Sequence, residues 1–384
     1  MEKEHEKIVL AFDSFKGSLS SIGVGEAAAR GVRKALPGAE TVVVPVADGG
    51  EGTVEAVVDA MGGEIVSAQV SDPLGNKINA GYGISGDTAI IEMAAASGLP
   101  LVPADKRNPW VTTSFGTGEL IRDALLRGCR RFLIGIGGSA TNDAGTGMLR
   151  ALGFRFLDCN GVEIIGGGGA VGDIVSVDCT NVIPQLSGAT FTVACDVTNP
   201  LTGPDGASHV YGPQKGADPG MVEALDRSLA SFAKVVADTR GGVDLSAQPG
   251  AGAAGGLGFA FLTFLGATLE PGVEMVLDAI GFDSYLHGAT LVLTGEGRLD
   301  SQTPMGKTPA GVLRHATRAG INVIAVGGSL QPSAVPVLIK TGFKAVFPVI
   351  PSPMPLEEAL LPVVAAENVE RTVEQIIRTL NLRK

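Results

Sequence analysis

The feature that most limits what this chain can fold into is a unit repeated near both of its ends. A short apolar run leads into a polar loop containing glycine, and a helical pattern follows. KIVLAF (7–12) runs into DSFKGS (13–18) and a helix expected from Val24 to Leu36, and TVVVPV (41–46) runs into ADGGEGT (47–53) and a helix expected from Thr53 to Met61. The alternation returns near residue 289 with ATLVLTGEG, GKTPAGVLRHATRAG, INVIAVGG, PSAVPVLIKTG and KAVFPVI. Strands spaced by single helices pair in parallel and are buried on both faces. Only 5% of residues are aromatic, so the core is built from Ala, Val, Leu and Ile, which suits such a sheet.

Between about residues 64 and 188 the pattern loosens. EIVSAQV, KINAGYGIS and DTAIIEMA alternate more and are joined by turns such as SDPLGN, which predicts a mixed or antiparallel patch. An amphipathic helix is expected over 113–128, then a strand at Arg131–Ile136, a helix at Ala144–Leu152, a strand at 189–197 and a long helix at 221–239. LGFAFLTFLGATL reads as one buried helix. At 384 residues the size prior is two or three domains. The expectation is therefore an α/β protein of two α/β domains. One is a Rossmann-like three-layer parallel-sheet domain built from both chain ends, residues 1–63 plus 289–384. It is interrupted by a second α/β domain with a mixed sheet, residues 64–288.

A net charge of −11 argues against a nucleic-acid partner, which needs a basic face. No uninterrupted apolar stretch reaches membrane-spanning length, so no membrane partner is expected. The opening MEKEHEK is charged with mixed sign, unlike a secretory leader, and Cys129, Cys159, Cys179 and Cys195 form no CxxC pair. The expectation is a cytoplasmic protein with reduced thiols, and a homo-oligomer stays open. His5, His209, His287 and His315 are scattered without HExxH spacing, which disfavours zinc.

Polar loops at the carboxyl ends of parallel strands are where such sheets bind ligands. In GGSATND (137–143) adjacent glycines can turn backbone N–H groups into one concavity that holds phosphate, with Ser139, Thr141 and Asn142 adding donors. The same residues also suit a tight turn capped by Thr141 or Asn142. SQTPMGKT (301–308) is a near miss to a P-loop, because Ser301 replaces the first glycine and Pro304 lies inside it. Its Lys307 opens a helix with Pro309 in the first turn, and either meets an anion or sits in solvent. Asp13, Asp48, Asp196, Glu296 and Asp300 each end or follow a predicted strand. Singly each suits a turn. Together with Lys16, Lys215, Arg298 and Lys307 they suit magnesium, nucleotide phosphates and a substrate hydroxyl.

Taken in order, DSFKGS, ADGGEGT, DPLG, IEMAAASGL, TSFGTGELI, GIGGSATND, ACDVTNPL, GPQKGA and TGEGRLDSQT followed by GK resemble the bacterial type I glycerate kinase family from about Lys7 to the C-terminal helices. Ala144 departs from the family, which usually has a second glycine there. The resemblance implies two α/β domains with the active site in a cleft, and transfer of the ATP γ-phosphoryl, with magnesium, to D-glycerate, usually giving 2-phosphoglycerate. Combined with the loop reading, it assigns roles. Asp196 accepts the hydroxyl proton, and Lys16 neutralises the transferring phosphoryl. Gly137, Gly138, Ser139, Thr141, Asn142 and Lys307 bind phosphates. Asp48, Glu296 and Asp300 hold magnesium. Asp13 contacts substrate, and Arg298 or Lys215 takes the glycerate carboxylate. A kinase for another small hydroxy acid, or a two-lobed anion-binding protein without catalysis, would use the same loops.

Overall fold

The computed structural model describes residues 6–239 and 241–381, so the first five residues of the charged lead-in lie outside it. The fold is α/β, and the chain divides into two compact units. One comprises Met1–Asp48, Glu55–Met61 and Val273–Lys384, and the other Gly49–Val54 and Gly62–Gly272.

The first unit is built on a five-stranded sheet in the order Ala345–Pro348, Asn322–Gly327, Ala289–Gly295, Lys7–Phe12, Glu40–Pro45, with every pairing parallel. Strand alternation sends Ile8, Leu10 and Phe12 to one face. There they pack with Val24, Ala28 and Val32 of helix Ser21–Ala35 and with Val369 and Val373 of helix Pro362–Asn381. Val9 and Ala11 point the other way and are equally buried, and the Thr308–Arg318 helix lies against these strands. Helix Ser21–Ala35 starts three residues before the expected Val24 because the Ser20 side chain caps it, accepting from the Gly23 N–H at 3.2 Å. Gly31 on that helix lets the Glu370 carbonyl approach so closely that a Cβ would overlap it. Arg30 and Lys34 both pair with the Glu370 carboxylate alongside.

In this sheet the chain steps from Lys7–Phe12 to one edge, then returns on the other side with Ala289–Gly295 and moves outward the opposite way. The two central strands therefore flank a topological switch point, where carboxyl-end loops diverge and leave room for a ligand. Gly295 ends one of these strands. A Cβ there would overlap the Val326 carbonyl oxygen of the neighbouring strand.

The second unit holds a six-stranded mixed sheet in the order Thr268–Glu270, Thr190–Ala194, Arg131–Gly135, Thr88–Glu92, Lys77–Ser85, Glu64–Ser71. The first four strands are parallel, and the last two pair antiparallel, as the looser alternation predicted. Helices Phe115–Leu126, Pro219–Thr239 and Ala253–Phe264 bury Leu120, Ile121, Phe232, Phe259 and Phe261 in its core. Two expectations change here. LGFAFLTFLGATL is not one helix: Gly266 at φ +60° ends it, and Thr268–Glu270 adds a parallel edge strand. The helix expected at Ala144–Leu152 is shortened to Thr146–Ala151, because Ala144 and Gly145 hold φ +50° and +69°. All four cysteines are free thiols. Among the described residues no helix is long and apolar enough to cross a membrane.

Gly295→Ala is expected to lower stability by about 2 kcal/mol or more, because the methyl must push strand Ala289–Gly295 away from its neighbour Asn322–Gly327. The shift in the urea midpoint measures this, and a change under about 0.5 kcal/mol would contradict the close approach.

Candidate active site

At the switch point of the first unit, Asp13 follows strand Lys7–Phe12 and Glu296 follows Ala289–Gly295. The Asp13 N–H donates to the Gly295 carbonyl at 2.9 Å, which joins the two loops. The Asp13 carboxylate is 6% exposed and accepts from Thr308 Oγ1 at 2.7 Å. Thr308 and the N-cap residue Lys307 begin the Thr308–Arg318 helix, with Pro309 in its first turn as expected. Burial, with the negative charge of Asp48 second, raises the Asp13 carboxyl to about 7. The Thr308 and Ser14 hydrogen bonds and the charge of Lys16 oppose that rise. Asp48, the exposed Lys16 and Asp13 thus share one electrostatic neighbourhood.

Beside them Lys307 Nζ lies 3.2 Å from Glu296 Oε2 and 3.7 Å from Asp300 Oδ1. Lys307 therefore meets carboxylates of its own chain. Thr303 Oγ1 donates to Glu296 at 2.6 Å and accepts from the Asp300 N–H at 3.0 Å. Burial raises the Glu296 carboxyl, and Thr303 and Lys307 work against that. Arg298 is exposed, with Nε 3.7 Å from Asp300. Asp48, Glu296 and Asp300 do not form a ready cage: among the described residues no group of three or more His, Cys, Asp or Glu is arranged to hold a metal ion. Glu296 and Asp300 turn instead toward Lys307.

In the second unit the Gly137–Asn142 turn leaves strand Arg131–Gly135 with Gly137 and Gly138 exposed and Gly138 at φ +75°. Its later residues are buried. Thr141 and Asn142 are fully covered, and neither caps the following helix, whose N-cap is Gly145. The capped-turn alternative is excluded on that ground. The Thr146–Ala151 helix starts too far along, and is too short, to aim its dipole at the turn. Lys215 holds the turn. It is 1% exposed, and Nζ donates to Ser139 Oγ at 2.7 Å and to the Thr141 carbonyl at 2.6 Å. Burial lowers its ammonium to about 7, while the charge of Asp143 opposes the fall. Two of the three Lys215 donors are engaged inside the protein, which gives it a structural role in addition to the substrate role expected of it.

Sequence reasoning missed Asp143, although it stands inside the quoted motif. Its carboxylate is fully buried and accepts from the Ser114 N–H at 2.8 Å, Ser114 Oγ at 2.9 Å, the Gly145 N–H at 3.2 Å and the Gly147 N–H at 3.3 Å. Burial pushes the carboxyl up and these donors pull it down. A carboxylate followed by small residues was the available signal. Asn142 Nδ2 donates to Ser208 at 3.0 Å. Asp196 lies exposed two residues beyond strand Thr190–Ala194 and accepts from the Gly272 N–H at 3.1 Å.

Carboxylates, hydroxyls and lysines at the carboxyl edge of parallel strands define an α/β protein built to handle small anionic ligands. The glycerate kinase family model matches residues 8–381. A glycerate kinase of Bacillus subtilis (strain 168) is 49% identical over 98% of both chains, and the glycerate 2-kinase of Escherichia coli (strain K12) is 50% identical over 97% of this chain and 98% of its own. A crystal structure assigned as a glycerate kinase 2 from Salmonella typhimurium LT2 matches with a TM-score of 0.91 at 49% identity, covering 98% of this chain and 99% of that one. The chain belongs to the glycerate kinase family.

The raised Asp13 carboxyl has a measurable consequence. From about pH 4 to about pH 7 the folded state keeps a proton that the unfolded chain has released, so this group's contribution to stability falls as pH rises through that window. Asp13→Asn removes the effect. The variant is expected to gain stability relative to the parent between about pH 5 and about pH 8. Urea midpoints at the two pH values measure this, and a constant offset would contradict it.

Proposed function

We propose that this chain is an ATP-dependent glycerate kinase that transfers the γ-phosphoryl of ATP to a hydroxyl of D-glycerate, giving 2-phosphoglycerate. The observation that carries the reading is near-half identity over nearly the full length of relatives that bear that activity in their names, one of them a glycerate 2-kinase. The carboxylates, lysines and turn described above supply the chemistry it needs.

In this reading Asp196 accepts the proton of the attacking hydroxyl. Its exposed carboxylate is oriented by the Gly272 N–H, so it can both reach substrate and stay aimed. Lys16 carries an exposed cation beside Asp13 and Asp48 and offsets charge on the transferring phosphoryl. The exposed Gly137 and Gly138 present backbone N–H groups to phosphate oxygens. Ser139, locked by Lys215, stands next to them, and Thr141 and Asn142 support the turn from beneath. Lys307, held by Glu296 and Asp300 at a helix N-cap, is a second phosphate ligand. Arg298 is free of tight pairing and can meet substrate.

The donor set at Asp13 and Asp48 fits magnesium. Both are hard oxygen donors, and the charge of Asp48 helps to raise Asp13, a repulsion that a dication relieves. When bound with nucleotide, the ion would neutralise phosphate charge. Glu296 and Asp300, already engaged with Lys307, would act on it through water.

The test is ADP release from the purified protein with ATP, magnesium and D-glycerate against the same mixture without glycerate. Glycerate-dependent release with 2-phosphoglycerate as product is expected. Release no faster than the blank would overturn the assignment. Asp196→Asn is expected to lower kcat by roughly 100-fold or more with nucleotide affinity retained. Near-parental turnover would remove Asp196 from the role of base.

A further inference from the structure

With Lys215 engaged by Ser139 and the Thr141 carbonyl, Arg298 is one cation left to meet the acceptor's carboxylate, and it is not the only candidate. The second unit contains one that the sequence motifs did not single out. Arg107 follows the short turns Leu99–Leu101 and Ala104–Lys106. This segment is stitched to the Gly137–Asn142 turn on both sides. Before Arg107, the Leu99 N–H donates to the Gly138 carbonyl at 2.8 Å, and the Ala140 N–H donates to the Ser97 carbonyl at 2.9 Å. After it, Thr112 Oγ1 donates to the Ala140 carbonyl at 2.8 Å. Arg107 itself packs on the loop that carries Lys215: a Cβ on Gly216, which has φ +97°, would run into the Arg107 carbonyl and side chain.

Arg107 thus belongs to the segment hydrogen-bonded to the Gly137–Asn142 turn and packs on the loop of Lys215, yet its guanidinium is unused. Nε is buried without a hydrogen-bond partner, and among the described residues no carboxylate pairs with the side chain, Asp105 two positions earlier included. The residue is only partly covered, and its terminal nitrogens are not among the buried unpartnered atoms, so they reach solvent. Leaving a buried guanidinium N–H unpaired is costly. An arginine fork pairs best with a planar two-oxygen anion.

We infer that Arg107 recognises the carboxylate of the acceptor and so determines specificity for a hydroxy acid over a plain alcohol. This rests on the kinase reading above. The test uses the purified full-length protein with ATP and magnesium, titrating D-glycerate and, as a carboxylate-free acceptor, glycerol. In Arg107→Ala the KM for D-glycerate is expected to rise roughly 10- to 100-fold. The KM for ATP should stay within about twofold, and the preference for D-glycerate over glycerol should shrink by a similar factor. Arg107→Lys, which keeps the charge but not the fork, should fall in between, and it decides the question if the alanine variant does not fold. An unmoved KM for D-glycerate, or a KM for ATP that rises in step with it, would overturn the inference while leaving the kinase reading intact. Absence of glycerate-dependent turnover in the parent protein would instead overturn the kinase reading itself.

Discussion

The interior of the second unit depends on two ionisable side chains, a lysine and a carboxylate, withdrawn from water. Lys215 and Asp143 are each essentially inaccessible, and neither could remain there without the donors and acceptors around it. Asp143 is held by Ser114 and by the backbone of Gly145 and Gly147, and Lys215 by Ser139 and the Thr141 carbonyl. Lys215 fixes the Gly137–Asn142 turn at Ser139 and Thr141, and Asp143 fixes the chain directly after it. The turn then needs no helix cap, and its glycines stay exposed to solvent.

The same demand explains the local backbone strain. Ala144 holds φ +50°, a conformation that alanine adopts only at a cost of about 1–2 kcal/mol. Its N–H donates to the Gly255 carbonyl at 3.0 Å, from a stretch in which Ala254, Gly255 and Gly256 all have positive φ. A Cβ on Gly255 would overlap the Thr141 carbonyl, so this kinked stretch has to be glycine-rich to lie against the turn. Ala144 is fully covered, which is how the surrounding packing can hold it in that conformation.

In the first unit the organising constraint is topological. The reversal of strand order opens the sheet edge between Lys7–Phe12 and Ala289–Gly295, and the acids there are shared out among neighbours of opposite kind. Asp13 takes Thr308, while Glu296 takes Thr303 and Lys307. Lys307 serves as both the helix N-cap residue and a counter-ion, which the near miss to a P-loop motif could not distinguish from a solvent-exposed lysine.

Much of the fold was legible in the sequence. The strand at Lys7–Phe12 and the helix at Thr53–Met61 lie where the apolar periodicity put them, and the loosened alternation after residue 64 marked antiparallel pairing. These are local properties: periodicity, capping and turn chemistry act over a few residues. The helix shortened at Ala144 was not legible, because its positive φ is held by a distant stretch, whereas the helix end at Gly266 had a local signal in the glycine itself. The candidate site divides the same way. Residue type and position at strand ends nominated Asp13, Asp196 and Glu296, and position at a helix start nominated Lys307. Only the tertiary structure turned Lys215 inward, raised Asp143 to the centre of its network and left Arg107 without a partner. Burial and pairing depend on which distant segments meet, 76 positions apart for Lys215 and Ser139 and 29 for Ser114 and Asp143, and no single stretch of sequence carries that information.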